Sequence, residues 1–234
     1  MAKEVSLERK PEDFFGHLSQ LEVTAVKDVV ELTSSYLMDL VEPYIITAVG
    51  GILRRKTPRL AKDIDLAVVS TAFKSDYSDD ERSDAGLADY RRYCSHVETF
   101  FETVRDRLTR ENGSPKLGYT IKWKGSDVPI GETAPKEEGF EYGSEAQRDG
   151  RTEQINLSIR RNLGWWNSKG FRLGLPDCRP VDIQIVYNRT PEEWKEAQQR
   201  LSDHPYRLMS PNGKILTTRR GFAKTFPYAI LAKN

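Results

Sequence analysis

The chain has 234 residues, of which 38% are hydrophobic, and its formal net charge is +1. This length and apolar content allow a buried core and exclude a disordered chain, while the small net charge does not by itself indicate a nucleic-acid partner. No apolar run approaches the roughly 20 residues that span a bilayer, and no apolar leader follows the first residues. We therefore expect a cytoplasmic protein with no membrane partner, in which Cys94 and Cys178 are free thiols.

The first elements follow from hydrophobic periodicity. Apolar residues recur at helical spacing over residues 12–41 and predict one long helix. Two short apolar segments predict strands, over residues 44–49 and 64–69. The polar and acidic residues 71–88 are interpreted as a loop.

The second half of the chain mixes helices and strands without a regular alternation. Residues 90–108 predict an amphipathic helix, and the capping pattern from Thr190 to Glu193 predicts the start of another. Further strands are predicted at residues 119–123, 154–159 and 180–187. Residues 125–153 carry almost no apolar pattern and are interpreted as a long, mobile excursion. This arrangement favours an α+β fold, with a mixed β-sheet flanked by helices.

Two acids and two glycines give the first indication of chemistry. Gly50-Gly51 follows a strand, so the backbone can turn sharply there and a phosphate can approach its N–H groups. Asp63 and Asp65 lie two positions apart at the next strand, which directs both carboxylates to one face. Adjacent carboxylates repel each other unless a cation lies between them, and oxygen ligands of this kind suit Mg²⁺ or Mn²⁺.

A third acid lies within the apolar segment 180–187. Asp182 is flanked by β-branched residues, and a lone buried carboxylate is unfavourable without a compensating partner. Two-metal phosphoryl-transfer sites commonly use a third carboxylate, so Asp182 is a candidate ligand and catalytic residue. Two other acids, Glu153 and Asp177, remain alternatives for this role.

The combined pattern resembles the DNA polymerase β-like nucleotidyltransferase superfamily, in which a Gly-Gly turn precedes a hydrophobic-flanked Asp-x-Asp and a later acid. The resemblance covers roughly residues 12–75 and 118–190. Within the superfamily, the segment from Gly50 to Leu66 is most similar to the AbiEii-type nucleotidyltransferase toxins, with Ile52 in place of their usual Thr and Ala61 in place of their Ser. The bacterial CCA-adding enzymes share part of the motif but carry Asp where this chain has Arg55.

The resemblance implies a polymerase β-like nucleotidyltransferase fold and a Mg²⁺-dependent transfer of a nucleotide from an NTP to a hydroxyl group. It implies that Asp63 and Asp65 hold one metal ion, that a second ion could be shared with Asp182, and that all three acids act in catalysis. The candidate nucleotide-binding residues are Gly50, Gly51, Arg54, Arg59, Lys62 and Lys224. An RNA acceptor, tRNA in the toxin subfamily, is the leading expectation, together with an antitoxin protein as a possible partner.

We expect a nucleotidyltransferase core over residues 1–190, with the mobile insertion near 125–153, and a C-terminal helix and basic extension over 191–234. From Tyr206 onward the chain has no acidic residue, and such a basic segment can hold phosphates. Other interpretations stay open at this point. The acceptor could be a small molecule or a protein, or the chain could be an inactive nucleotide- or RNA-binding module.

Overall fold

The protein is represented by a computed structural model, which describes residues 7–54, 58–74, 84–111, 114–115, 120–124, 169–174, 176–203, 207–209, 215–218 and 227–234. The predicted strand at 154–159 and the excursion at 125–153 lie outside the described residues.

The single helix predicted over 12–41 is instead two helices, α1 (Pro11–Phe15) and α2 (Gln20–Asp39). A capping box separates them. The backbone N–H of Glu22 donates to Oγ of Ser19 at 3.3 Å, and the N–H of Ser19 donates to Oε2 of Glu22 at 2.8 Å. These reciprocal bonds satisfy N–H groups that a helix start would leave without partners, so α2 begins there.

A seven-stranded mixed sheet forms the centre of the described fold. Its strands are β1 (Glu8–Arg9), β2 (Tyr44–Val49), β3 (Ile64–Ser70), β6 (Thr120–Lys124), β7 (Lys169–Gly174), β8 (Val181–Ile185) and β11 (Tyr228–Lys233). They lie in the order β1-β11-β2-β3-β8-β7-β6. Strands β1 and β11 pair in parallel, as do β3 and β8, and the other neighbours are antiparallel. Because β11 lies between β1 and β2, the last residues of the chain belong to this sheet.

Two short antiparallel ladders lie outside this sheet: β4 (Arg110–Glu111) with β5 (Ser114–Pro115), and β9 (Arg207–Met209) with β10 (Ile215–Thr218). The other α-helices are α3 (Gly51–Arg54), α4 (Asp84–Thr109) and α5 (Pro191–Asp203). Helix α4 starts within the segment interpreted as a loop. The capping pattern at α5 is confirmed, because the N–H of Thr190 donates to Oε2 of Glu193 at 2.9 Å and the N–H of Glu193 donates to Oγ1 of Thr190 at 3.2 Å.

The two faces of the sheet are covered differently. The larger core lies between the sheet and helices α2 and α4, and it includes Ile64, Leu66 and Ile183. The smaller core contains Ala67 of β3 and Trp194 of α5 on the other face. Strand alternation therefore places Asp65 on the same face as the smaller core. The fold is α+β, with a mixed sheet flanked by helices, as the sequence predicts.

Candidate metal centre

The register of two parallel strands brings Asp65 and Asp182 together. Strands β3 and β8 pair with Asp65 directly beside Asp182, and each acid is the second residue of its strand. Neighbouring residues in register point to the same face of a sheet, so both carboxylates lie above the edge where the two strands begin. The backbone N–H of Ile64 donates to the carbonyl of Pro180 at 2.9 Å and extends this pairing toward Asp63.

The three acids that the sequence singled out form one cluster. Asp63, Asp65 and Asp182 each offer a carboxylate oxygen, and these oxygens lie within 4.8 Å of one another. Asp182 is only 7% exposed, whereas the other two are half-buried. Three carboxylate oxygens this close together, two of them on half-buried residues, match the preference of a hard divalent cation that keeps part of its water shell. The residues present therefore fit a divalent metal ion.

Gly50 lies against this cluster, at a position where a side chain would be strained. It follows β2, whose last residue, Val49, pairs with Asp65. Its φ is 83°, a conformation that side chains disfavour, and a Cβ at this position would overlap Oδ2 of Asp65. The glycine turn and the second acid are thus in direct proximity. Gly51, the next residue, begins the short helix α3.

Arg172 also belongs to the cluster, although no pattern in the sequence singles it out. Strand β7 pairs antiparallel with β8, and Arg172 is directly opposite Asp182. Its Nε donates to Oδ1 of Asp182 at 2.6 Å, and its Nη2 donates to Oδ2 at 2.7 Å. The same Nη2 is 3.6 Å from Oδ2 of Asp63. The guanidinium therefore compensates part of the acidic charge by a bidentate pair, the strongest common form of this contact.

The neighbouring acids raise the pKa of Arg172. Its hydrogen bonds to Asp182 raise this pKa above the ordinary value, and the nearby charges of Asp182, Asp63 and Asp65 act in the same direction. The guanidinium is thus a permanent positive charge beside the acids, whatever the pH of the solution.

The other candidate residues either lie outside the cluster of three acids or have side chains that the structure does not describe. Lys62 is exposed and lines a cleft of about 620 Å³, whose wall also includes Ser19 and Arg179. Asp177 is exposed in the turn before β8 and is not among the three clustered acids. The backbones of Arg54 and Arg59 lie in α3 and in the helical turn Pro58–Leu60, but their side chains lie outside the described residues, as do Lys224 and Glu153.

A second arginine–carboxylate pair supports the segments that precede the acids. Arg179 donates through Nε to Oε1 of Glu22 at 2.8 Å and through Nη2 to Oε2 at 2.9 Å. It also donates to the carbonyls of Pro58 at 3.3 Å and His17 at 2.9 Å. Burial alone would raise the pKa of Glu22, but the hydrogen bonds from Arg179 and from the Ser19 backbone outweigh it and lower the pKa to about 2.

Comparisons of the chain with protein-family models, with curated proteins and with solved structures found no match. Among the residues that the structure describes, no helix is both long enough and apolar enough to cross a membrane.

Proposed function

We propose that this chain is a metal-dependent nucleotidyltransferase with a polymerase β-like core. The observation that carries the proposal is the meeting of Asp63, Asp65 and Asp182 within 4.8 Å, although the third acid comes from a distant part of the sequence. Gly50 lies against this cluster, where the superfamily pattern has its glycine turn. The resemblance of the sequence and the three-dimensional proximity therefore point to the same residues.

The chemistry follows from the positions of the acids. Asp63 and Asp65 would hold a divalent cation, Mg²⁺ or Mn²⁺, with Asp182 at its side; the cation would neutralise the triphosphate of an NTP. The hydroxyl oxygen of the acceptor forms a bond to the α-phosphorus, while the bond to the bridging oxygen breaks and pyrophosphate leaves. In this proposal Asp182 accepts the hydroxyl proton, because its carboxylate lies beside the two acids that would hold the cation. Positioning and charge compensation supply most of the rate in such reactions.

RNA is the proposed acceptor, and tRNA is the first RNA to test. Two features support it: the similarity of the segment from Gly50 to Leu66 to nucleotidyltransferase toxins, and the absence of acids from Tyr206 onward. A basic segment of this kind attracts a phosphate backbone. In this proposal the chain acts as a toxin, and an antitoxin protein restrains it.

The test is transfer of label from α-³²P-NTPs in the presence of Mg²⁺, with total RNA, protein extract and small-molecule alcohols as separate acceptors. We expect labelled RNA, and we expect Asp65→Asn to abolish labelling while the circular dichroism spectrum is unchanged. Asp39→Asn makes the same chemical change at an exposed residue of α2 and should leave labelling intact.

The acceptor fractions separate the possible outcomes. Label in protein or in a small molecule would keep the transferase and replace its acceptor. Nucleotide binding without transfer to any fraction would indicate a binding module instead. Wild-type labelling by Asp65→Asn would contradict the catalytic assignment.

A further inference from the structure

Arg172 contacts two of the three acids, on the side of the cluster where an ion shared with Asp182 would have to bind. Both oxygens of Asp182 accept hydrogen bonds from this guanidinium, at 2.6 and 2.7 Å. The strand register fixes the pair, because Arg172 and Asp182 are directly opposed in the antiparallel ladder. Nη2 reaches further, to 3.6 Å from Oδ2 of Asp63, and so lies between two of the three acids. A cation bridging Asp182 to Asp63 would have to share this space.

The charges of the cluster lead to the same conclusion. Three carboxylates and one guanidinium lie together, so the guanidinium already compensates part of the acidic charge before any metal ion binds. A second divalent cation would add positive charge beside a guanidinium that does not lose its proton, and like charges at such short range repel strongly.

We infer that Arg172 takes the place of a second divalent cation in the nucleotide-free site, so that the protein binds a single ion between Asp63 and Asp65. This inference rests on the metal site of the proposed function. Arg172 is then a positioning residue: it holds the carboxylate of Asp182 and sets the number of metal ions and their affinity. A guanidinium suits this role, since its planar edge matches both oxygens of one carboxylate.

The experiment measures Mn²⁺ binding to the full chain without nucleotide, by the loss of the free-ion electron paramagnetic resonance signal. We expect the wild type to bind one Mn²⁺ per chain. Arg172→Met should bind a second ion, or bind the first at least about tenfold more tightly, because a positive charge next to the site is removed. Arg172→Lys keeps the charge and should retain the wild-type stoichiometry.

Arg105→Met is the matched control. Arg105 pairs with acids on the exposed surface of α4, so its loss should leave Mn²⁺ binding unchanged. Two ions bound by the wild type would overturn the inference, as would an Arg172→Met protein with wild-type stoichiometry and affinity. If Arg172→Met does not fold, the stoichiometry of the wild type and the behaviour of Arg172→Lys still decide.

The measurement separates this inference from the proposed function. The wild type could bind one Mn²⁺, and Arg172→Met could show the expected change, while no acceptor receives a nucleotide. This result would support the role of Arg172 and contradict the transferase. Absence of Mn²⁺ binding in every variant would overturn both. Two ions in a wild type that transfers nucleotides would overturn the role of Arg172 alone.

Discussion

Two arginine–carboxylate pairs in this protein have the same bidentate chemistry and different surroundings. Arg172 and Asp182 belong to the acid cluster, with side-chain exposures of 38% and 9%. Arg179 and Glu22 are more enclosed, at 16% and 5%. Arg172 faces a second acid, Asp63, whereas the other donors of Arg179 are directed to backbone carbonyls. One pair compensates charge in a candidate site, and the other connects segments of the scaffold.

The pair of Arg179 and Glu22, called the scaffold pair below, connects distant segments next to the site. Arg179 joins three places: Glu22 at the start of α2, the carbonyl of His17 before it, and the carbonyl of Pro58 in the segment that leads to β3. Arg179 itself comes shortly before β8. The starts of β3 and β8, where the acids lie, are therefore held from outside the sheet as well as by their own ladder.

The largest effect is expected when the scaffold pair is broken. Glu22→Gln preserves the shape of the side chain and can still cap Ser19, but it leaves the guanidinium of Arg179 enclosed without its counter-charge. We expect a loss of roughly 3–5 kcal/mol in the free energy of unfolding, as is typical when one partner of a buried pair is removed. Urea unfolding followed by circular dichroism measures it.

Two further variants show whether the loss comes from the unpaired charge. Glu31→Gln makes the same change at an exposed position of α2 and should have little effect. The double variant Glu22→Gln/Arg179→Met removes both charges and should lose less than the sum of the single changes. Additive losses would show that the two side chains do not stabilise the fold as a pair.

Acid should weaken the same pair without a mutation. The pKa of Glu22 is about 2 in the folded protein, against an ordinary value of 4.5. A lowered pKa means that this contribution is fully present above about pH 4.5 and is lost as the pH falls toward 2. The shift corresponds to about 3 kcal/mol over this window. We therefore expect the stability difference between the wild type and Glu22→Gln to shrink on moving from about pH 6 to about pH 3.

Other carboxylates also titrate in this window, which is why the difference between the two proteins is measured rather than the stability of either. A difference that stays constant down to about pH 3 would contradict the lowered pKa of Glu22.

The acids of the site could be predicted from the sequence, because their signals are local. The spacing of Asp63 and Asp65 sets their common face, and Asp182 stands out as an acid within an apolar strand. Arg172 carries no such signal. Its strand contains Gly170 and Gly174, which weaken the apolar alternation, and its contact with Asp182 depends on the register of β7 against β8, which a single sequence does not specify.

The break between α1 and α2 shows a different limit. The sequence carries the pattern of a capping box at Ser19 and Glu22, but apolar residues recur at helical spacing on both sides of it, so periodicity alone predicts one continuous helix. Glu22 in addition has a long-range partner, Arg179, from another part of the chain. A residue that serves both as a cap and in an ion pair can be recognised by its capping spacing, but its distant partner emerges only from the fold.

The smallest effect is expected for a third ion pair, which is more exposed than the pair of Arg179 and Glu22. It tests whether burial determines how strongly such a pair stabilises the fold. Nζ of Lys74 is 2.8 Å from Oε1 of Glu193, with side-chain exposures of 33% and 43%. Solvent screens such a pair, so Lys74→Met should lower the free energy of unfolding by less than about 1 kcal/mol. The loss should shrink further in about 1 M salt, whereas that of Glu22→Gln should persist, because ions screen exposed charges far more than enclosed ones. Urea unfolding at low and high salt measures both. A loss for Lys74→Met as large as that for Glu22→Gln would show that burial is not what gives the Arg179 pair its strength.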